Sequence, residues 1–218
     1  MKKKYIITGL LAIYFFAGTL TLANAQNINH WEMVVAANDT WQYFPGTSEP
    51  PSTWNSTNFN STSWLTGPGG IGYGDGDDGT ILSAVPSVYL RTNFTLTDTS
   101  AISWAILHVD YDDAFIAYLN GHEIARANIG TIGVKPFYNT YSITDREAKV
   151  YTGGIPERFI IQKDTLKKYI IQGANVLAIE VHNSSPTSSD LSSITYFSVG
   201  IKDGSQPTAR FRPGLMIR

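Results

Sequence analysis

The sequence predicts an all-β protein, an antiparallel β-sandwich, on three observations. After the first 25 residues no long apolar repeat of period 3.6 occurs, and short runs alternate apolar with polar residues instead. Gly, Pro, Asn, Asp and Ser bound those runs throughout. Between two of them, Phe115–Leu119 and His122–Ala127, stands Asn120-Gly121, the pair that a two-residue type I′ turn selects because both central residues need positive φ.

The ends of the chain read differently. Lys2, Lys3 and Lys4 precede an apolar run from Tyr5 to about Leu22 and the small-residue site Ala23-Asn24-Ala25, the pattern of a secretory signal peptide. A retained anchor is the alternative, since the run approaches the roughly 20 residues that span a bilayer. With cleavage, residues 1–25 are lost and a soluble monomer starting at Gln26 is expected in a secreted, periplasmic or cell-surface location, free of the membrane. The 16 basic residues then fall to 13 against 18 acidic ones, a net charge of −5. That balance argues against a nucleic-acid partner. The chain has no cysteine, so core packing, tight turns or bound ions such as calcium must stabilise it. Residues 26–203 are long enough for one sandwich domain, and 204–218 read as a linker or a truncated tail.

In chain order, strands are expected at Trp41–Phe44, Val88–Leu96, Ile102–Val109, Phe115–Leu119, His122–Ala127, Arg158–Gln162, Asn175–His182 and Ser193–Ile201. One helical turn is expected at Thr165–Ile171, with Asp164 as N-cap and Gly173 just past its end. Period-two parity makes Leu107, Val109, Leu177, Ile179, Val181, Phe197, Val199 and Ile201 core. Trp104, His108, Asp110, Ala178, Glu180, His182, Tyr196 and Ser198 point away from it. Residues 45–80 are rich in Pro, Gly, Ser, Thr and Asn, yet Trp54, Phe59 and Trp64 mark them as an ordered loop rather than a disordered one. A second irregular stretch runs from Ile129 to Pro156.

Several segments occur in a telling order: WQYFPG, the Trp54…Phe59…Trp64 spacing, GIGYGDGDDGT (70–80), YLRTNFTL (89–96), DYDDAFIAYLNGHEIARAN (110–128), GANVLAIEVHN (173–183) and SSDL (188–191). Together, over about residues 38–202, they resemble the galactose-binding-like jelly-roll module of large secreted bacterial proteins. Such modules stand beside lamin-tail-like domains, spore-coat-protein-H-like kinase domains, phosphoesterases or glycoside hydrolases. The resemblance implies a sandwich of eight or more strands acting as a non-catalytic accessory domain that often binds carbohydrate. One departure is Ala114, which follows Asp113 where the family's acidic turn commonly has glycine.

Two acidic groups invite chemistry. Asp75, Asp77 and Asp78 could surround a structural Ca2+ with carboxylates and carbonyls, although the EF-hand spacing is absent; Asx-turns onto the loop's own amides are the competing reading. Asp110, Asp112 and Asp113 need positive charge or donors among them, and an ion pair with Arg91 or Arg126 is expected ahead of a metal. His108, His122 and His182 with Glu180 raise zinc, but no His-Glu-x-x-His spacing and no cysteine ligand supports it. Ser188, Ser189 and Asp190 with His182 lack a Gly-x-Ser-x-Gly elbow and read better as loop-knitting residues.

Aromatic residues are the stronger lead, because sugars present apolar C–H faces to rings and hydroxyls to carboxylates and amides. The ligand-binding candidates are Trp104, His108, Tyr138, Tyr141, Glu180, His182 and Tyr196, with Tyr196, Glu180 and His182 placed together, and Tyr151 beside the loop tyrosines. Trp41, Trp54 and Trp64 are expected to plug the sandwich ends. The function expected is non-covalent recognition of a glycan or an adjoining domain. A purely structural spacer is the alternative, and a small secreted hydrolase using the acidic groups is a third reading.

Overall fold

A computed structural model describes residues 28–202. The expected signal peptide and the tail beyond 203 lie outside the described residues. Among the described residues twelve strands occur: β1 (His30–Val35), β2 (Thr40–Pro45), β3 (Leu65–Pro68), β4 (Ile71–Gly72), β5 (Thr80–Ile81), β6 (Ser87–Leu96), β7 (Ile102–Asp112), β8 (Ala114–Leu119), β9 (His122–Ala127), β10 (Glu157–Ile161), β11 (Gly173–His182) and β12 (Ser192–Ile201). A short helix α1 (Lys163–Tyr169) precedes β11.

Two antiparallel sheets form the sandwich, one of order β1-β12-β7-β10 and one of order β3-β2-β6-β11-β8-β9; β4 and β5 pair in parallel apart from both. Alternation decides what lies between them. Leu107, Val109, Leu177, Ile179, Val181, Phe197 and Val199 are fully buried in one core together with Phe115 and Leu119. Each such side chain contributes roughly 1.5–3 kcal/mol relative to exposure. The β8–β9 hairpin turns on Asn120 (φ 52°) and Gly121 (φ 89°), as the Asn-Gly pair predicts.

Every expected strand is present, with ends shifted by up to three residues. Among those that sequence reading did not find, β1 docks on β12 with a register shift between Met33 and Val35 that breaks its alternation, and β3, β4 and β5 have only two to four residues each. The helix begins two residues earlier than expected: Gln162 is its N-cap, without a side-chain cap bond, and Asp164 lies in the first turn. Gly173 (φ 97°) opens β11 instead of closing the helix, because Ile170 is already extended.

The six-stranded sheet is covered on both faces. On its outer side Trp54, Trp64, Tyr89, Ile116, Tyr118, Ile129 and Val176 form a second buried cluster, joined by Phe44, Phe59 and Tyr138. Trp54 and Trp64 stack at 6.1 Å, and Trp54 meets Tyr89 and Tyr118 edge-on. Trp41 alone of the three expected end plugs belongs to the inter-sheet core; Trp54 and Trp64 instead hold a loop flat against the sheet.

Candidate functional site

The seven candidate ligand-binding residues fall on opposite outer faces of the sandwich. Glu180 and His182, on β11, face the covered side and are buried there. The Tyr118 hydroxyl donates to Glu180 Oε1 at 2.5 Å; His182 Nε2 lies 3.5 Å from Glu180 Oε2, and Nδ1 lies 2.9 Å from the Thr140 carbonyl. Burial, then the Glu180 charge, raises the Tyr118 hydroxyl above its ordinary range. Tyr138 is pinned at both ends of its peptide unit: its amide donates to Glu49 Oε1 (2.7 Å), and its carbonyl accepts from Ser87 Oγ (2.7 Å). Tyr141 is half-buried in the same loop. His182 Nδ1 thus fastens that loop through Thr140, while Glu180 is held within the sheet by Tyr118 and His182. The expected solvated face at Glu180 and His182 does not exist, since the segments around Trp54 and Tyr138 fold over it.

Trp104, His108 and Tyr196 lie on the outer face of the four-stranded sheet, so Tyr196 is separated from Glu180 and His182 by the whole sandwich. The register places them in rows. Trp31, Gly200 and Trp104 are neighbours across β1, β12 and β7, followed by Met33, Ser198, Ile106 and Ile160, then Tyr196, His108 and Arg158. Gly200 is the seat for a ring: a Cβ there would stand 3.2 Å from the Trp31 indole and 2.9 Å from Ile28. Trp31, Met33, Trp104, Ile106, Tyr196 and Ser198 are half-buried, and Arg158 and Ile160 are exposed.

His108 is the unusual member of this face. It is only 5% exposed, and its Nδ1 is buried without a hydrogen-bond partner among the described residues. Burial, and then the Arg158 charge, hold its pKa below the ordinary histidine value. At neutral pH the ring is therefore uncharged, with one nitrogen unsatisfied in a row between a tyrosine and an arginine. Burial raises the Tyr196 hydroxyl, with Asp110 adding to the effect, so it too stays protonated and able to donate.

The acidic turn is organised by backbone amides and not by arginine. Asp110 accepts from the amides of Lys149 (3.0 and 2.8 Å) and Val150 (2.6 Å), Asp112 Oδ2 from Ala148 (3.2 Å), and Asp113 from Arg146 (2.7 Å) and Ser184 (2.6 Å). Arg91 is engaged with the carbonyls of Phe59 and Ser56 and with Ser61 Oγ, and Arg126 with Glu123. The expected Asp–Arg pair is therefore absent, because a segment remote in sequence offers consecutive amides first.

Asp75, Asp77 and Asp78 do converge, with one oxygen of each within 4.8 Å of the others. Asp75 Oδ1, both Asp77 oxygens and Asp78 Oδ1 are buried without hydrogen-bond partners among the described residues, so Asx-turns do not account for these atoms. Burial, and then the other carboxylates of the group, push Asp78 up to about 7 and Asp75 up to about 6. The SSDL segment knits locally: Ser189 Oγ donates to Asp190 Oδ1, and Leu191 pairs with Tyr73.

No protein-family model and no curated protein matches the sequence. Solved structures do. A β-glucuronidase from glycoside hydrolase family 2 superposes with a TM-score of 0.50 at 16% identity, over 78% of this chain and 18% of that one. The Bacteroides uniformis β-glucuronidase (TM-score 0.49, 12% identity, 78% and 18%) and an uncultured Clostridium sp. β-glucuronidase (0.48, 12%, 79% and 29%) are also similar. The likeness is one of fold, and it agrees with an all-β antiparallel sandwich. This chain spans less than a third of the length of each of these enzymes. No helix among the described residues is long and apolar enough to cross a membrane.

Proposed function

We propose that the domain is a non-catalytic carbohydrate-recognition module, exported as the accessory part of a longer polypeptide, and that it binds glycan on the outer face of the four-stranded sheet. The observation that carries this reading is His108, whose buried Nδ1 lacks a partner in the midst of an aromatic face. Buried polar atoms ordinarily find partners; Nδ1 is closed to solvent in the free domain, so a sugar hydroxyl donates to it once the side chains over the ring move aside. Trp104 and Tyr196 offer ring faces to sugar C–H bonds, while Arg158 stands next in the row to donate hydrogen bonds to a ring oxygen or hydroxyl oxygen. The site involves no bond chemistry. Similarity to a portion of glycoside hydrolase family 2 proteins supports a carbohydrate-related context.

Calorimetric titration with soluble plant and bacterial polysaccharides tests the assignment. Saturable binding that falls at least tenfold in Trp104→Ala and in His108→Ala, with the circular-dichroism spectrum and melting profile retained, is the expected result. Absence of saturable binding across the panel would sink it.

A spacer that packs against a neighbouring domain is favoured by a different observation. Ile132 (80%), Val134 (60%), Phe137 (71%) and Ile143 (70%) are strongly exposed on one loop, whose backbone is tied down through Arg126, Glu123, Lys135 and Glu49. Polar atoms face the body there and apolar ones face out, as an interface requires. A domain that binds no glycan leaves this second reading standing.

A further inference from the structure

We infer that Asp112, Glu147 and Asp190, joined by the Ser192 hydroxyl, bind a hard divalent cation, calcium by preference, at the rim where β7 ends. One oxygen of each carboxylate lies within 4.8 Å of the other two, a spacing that matches oxygens held roughly 2.3–2.6 Å from a shared Ca2+. The three come from separate segments: the end of β7, the loop before the Val150–Thr152 turn, and the approach to β12.

Clustered acids alone mean little. The second observation is Ser192, which is fully buried and whose Oγ has no hydrogen-bond partner among the described residues. It stands directly opposite Asp112 in the β7–β12 pairing, and opposed residues of an antiparallel pair project from the same face. Asp190 lies just before β12, two residues from Ser192, and one of its carboxylate oxygens converges with that of Asp112. A buried hydroxyl without a partner is costly, and the register puts this one on the face that carries Asp112. Those carboxylates have few claims on them. Asp112 accepts one amide, Ala148 at 3.2 Å, Asp190 accepts the Ser189 hydroxyl at 3.2 Å, and no arginine or lysine forms an ion pair with any of the three among the described residues. An all-oxygen donor set with no nitrogen or sulfur selects calcium over zinc or copper, and water completes its coordination.

The ion would clamp both loops to the end of β7. Calcium titrated into the chelator-treated, full-length chain reads this directly. Saturable binding is expected, with the melting temperature rising by roughly 5 °C at calcium about a hundredfold above its Kd. Glu147→Gln combined with Asp190→Asn should weaken the affinity at least tenfold, and Ser192→Ala several-fold. Those carboxylates hold no other segment in place, so the double variant remains folded. Asp77→Asn combined with Asp78→Asn separates this site from the neighbouring acidic loop and should leave the binding intact. No saturable binding, or binding that disappears with the Asp77/Asp78 variant and survives Glu147→Gln with Asp190→Asn, overturns the assignment; unchanged affinity in Ser192→Ala removes the hydroxyl from it.

Discussion

Asp110 shows how one side chain can hold a loop without any ion pair. It is fully buried on β7, yet its carboxylate accepts from two consecutive amides, Lys149 and Val150, at the start of a 3-10 turn. Hydrogen bonds to a charged group contribute roughly 1.5–3 kcal/mol each, and losing the acceptor strands the donors as well. Asp110→Ala is expected to lower stability by about 3 kcal/mol, and Asp110→Asn, which keeps one acceptor oxygen, by about half as much. Urea unfolding monitored by tryptophan fluorescence measures both, and a loss under about 1 kcal/mol in the alanine variant would show that water satisfies those amides equally well. Arg146 gives the same segment a second grip: its guanidinium sits 3.5 Å over the Tyr111 ring and donates to the Tyr111 carbonyl and to Glu157 Oε2.

Among the elements, the loop carrying Trp54 departs most from an ordinary sandwich. It lies over the outer face of the six-stranded sheet, sealed by the Trp54–Trp64 stack and by buried Arg91, which donates to three acceptors on the loop. Burying a large aromatic in a packed site contributes several kcal/mol, so Trp54→Ala should cost about 3–5 kcal/mol and release amide protection across residues 46–64 before the β6–β11 pair opens. Hydrogen exchange resolves that order, and protection lost uniformly would show that the loop and sheet unfold as one unit. The hairpin, β7, β11 and β12 were legible in the sequence because their signals are local: an Asn-Gly turn, or apolar residues two apart. Trp54, Phe59 and Trp64 marked the first covering loop as ordered, but where the covering loops lie was not legible. Parity says that Glu180 and His182 leave the core, but it does not say what lies over them, and the covering contacts join residues as distant as Glu49 and Tyr138. For the same reason Trp104, His108 and Tyr196 could be assigned an outward direction, but the one of two outer faces they occupy depends on strand order, which alternation does not encode. Ser192 gave no signal at all, since a serine matters there only through the residue opposite it.

At the scale of the whole molecule, the acidic rim sets how stability follows pH. Asp75, Asp78 and Asp112 sit where burial and neighbouring carboxylates raise them to about 6, 7 and 8, against about 3.9 for an aspartate in the unfolded chain. Between those limits the native state holds protons that the unfolded state has released, so each rise in pH favours unfolding. Their contribution is complete below about pH 4 and is lost progressively as pH climbs through the folded values. His108 works in the opposite sense, because its lowered pKa makes the unfolded chain the better proton acceptor below about 6.5, and that effect fades above neutrality. Over the window from about pH 6.5 to 8.5 the carboxylates therefore dominate. In chelator, the melting temperature is expected to fall across this window, and Asp78→Asn should flatten the lower part of the fall because the amide carries no charge to desolvate. Calcium competes with protons for the same oxygens, so the stabilisation it gives should be greater at pH 8.5 than at pH 6.5, drawing the two melting temperatures together. Differential scanning calorimetry at both pH values, with and without calcium, makes the comparison in four scans, and a melting temperature that rises with pH in chelator would mean that solvent already neutralises the crowding of these carboxylates.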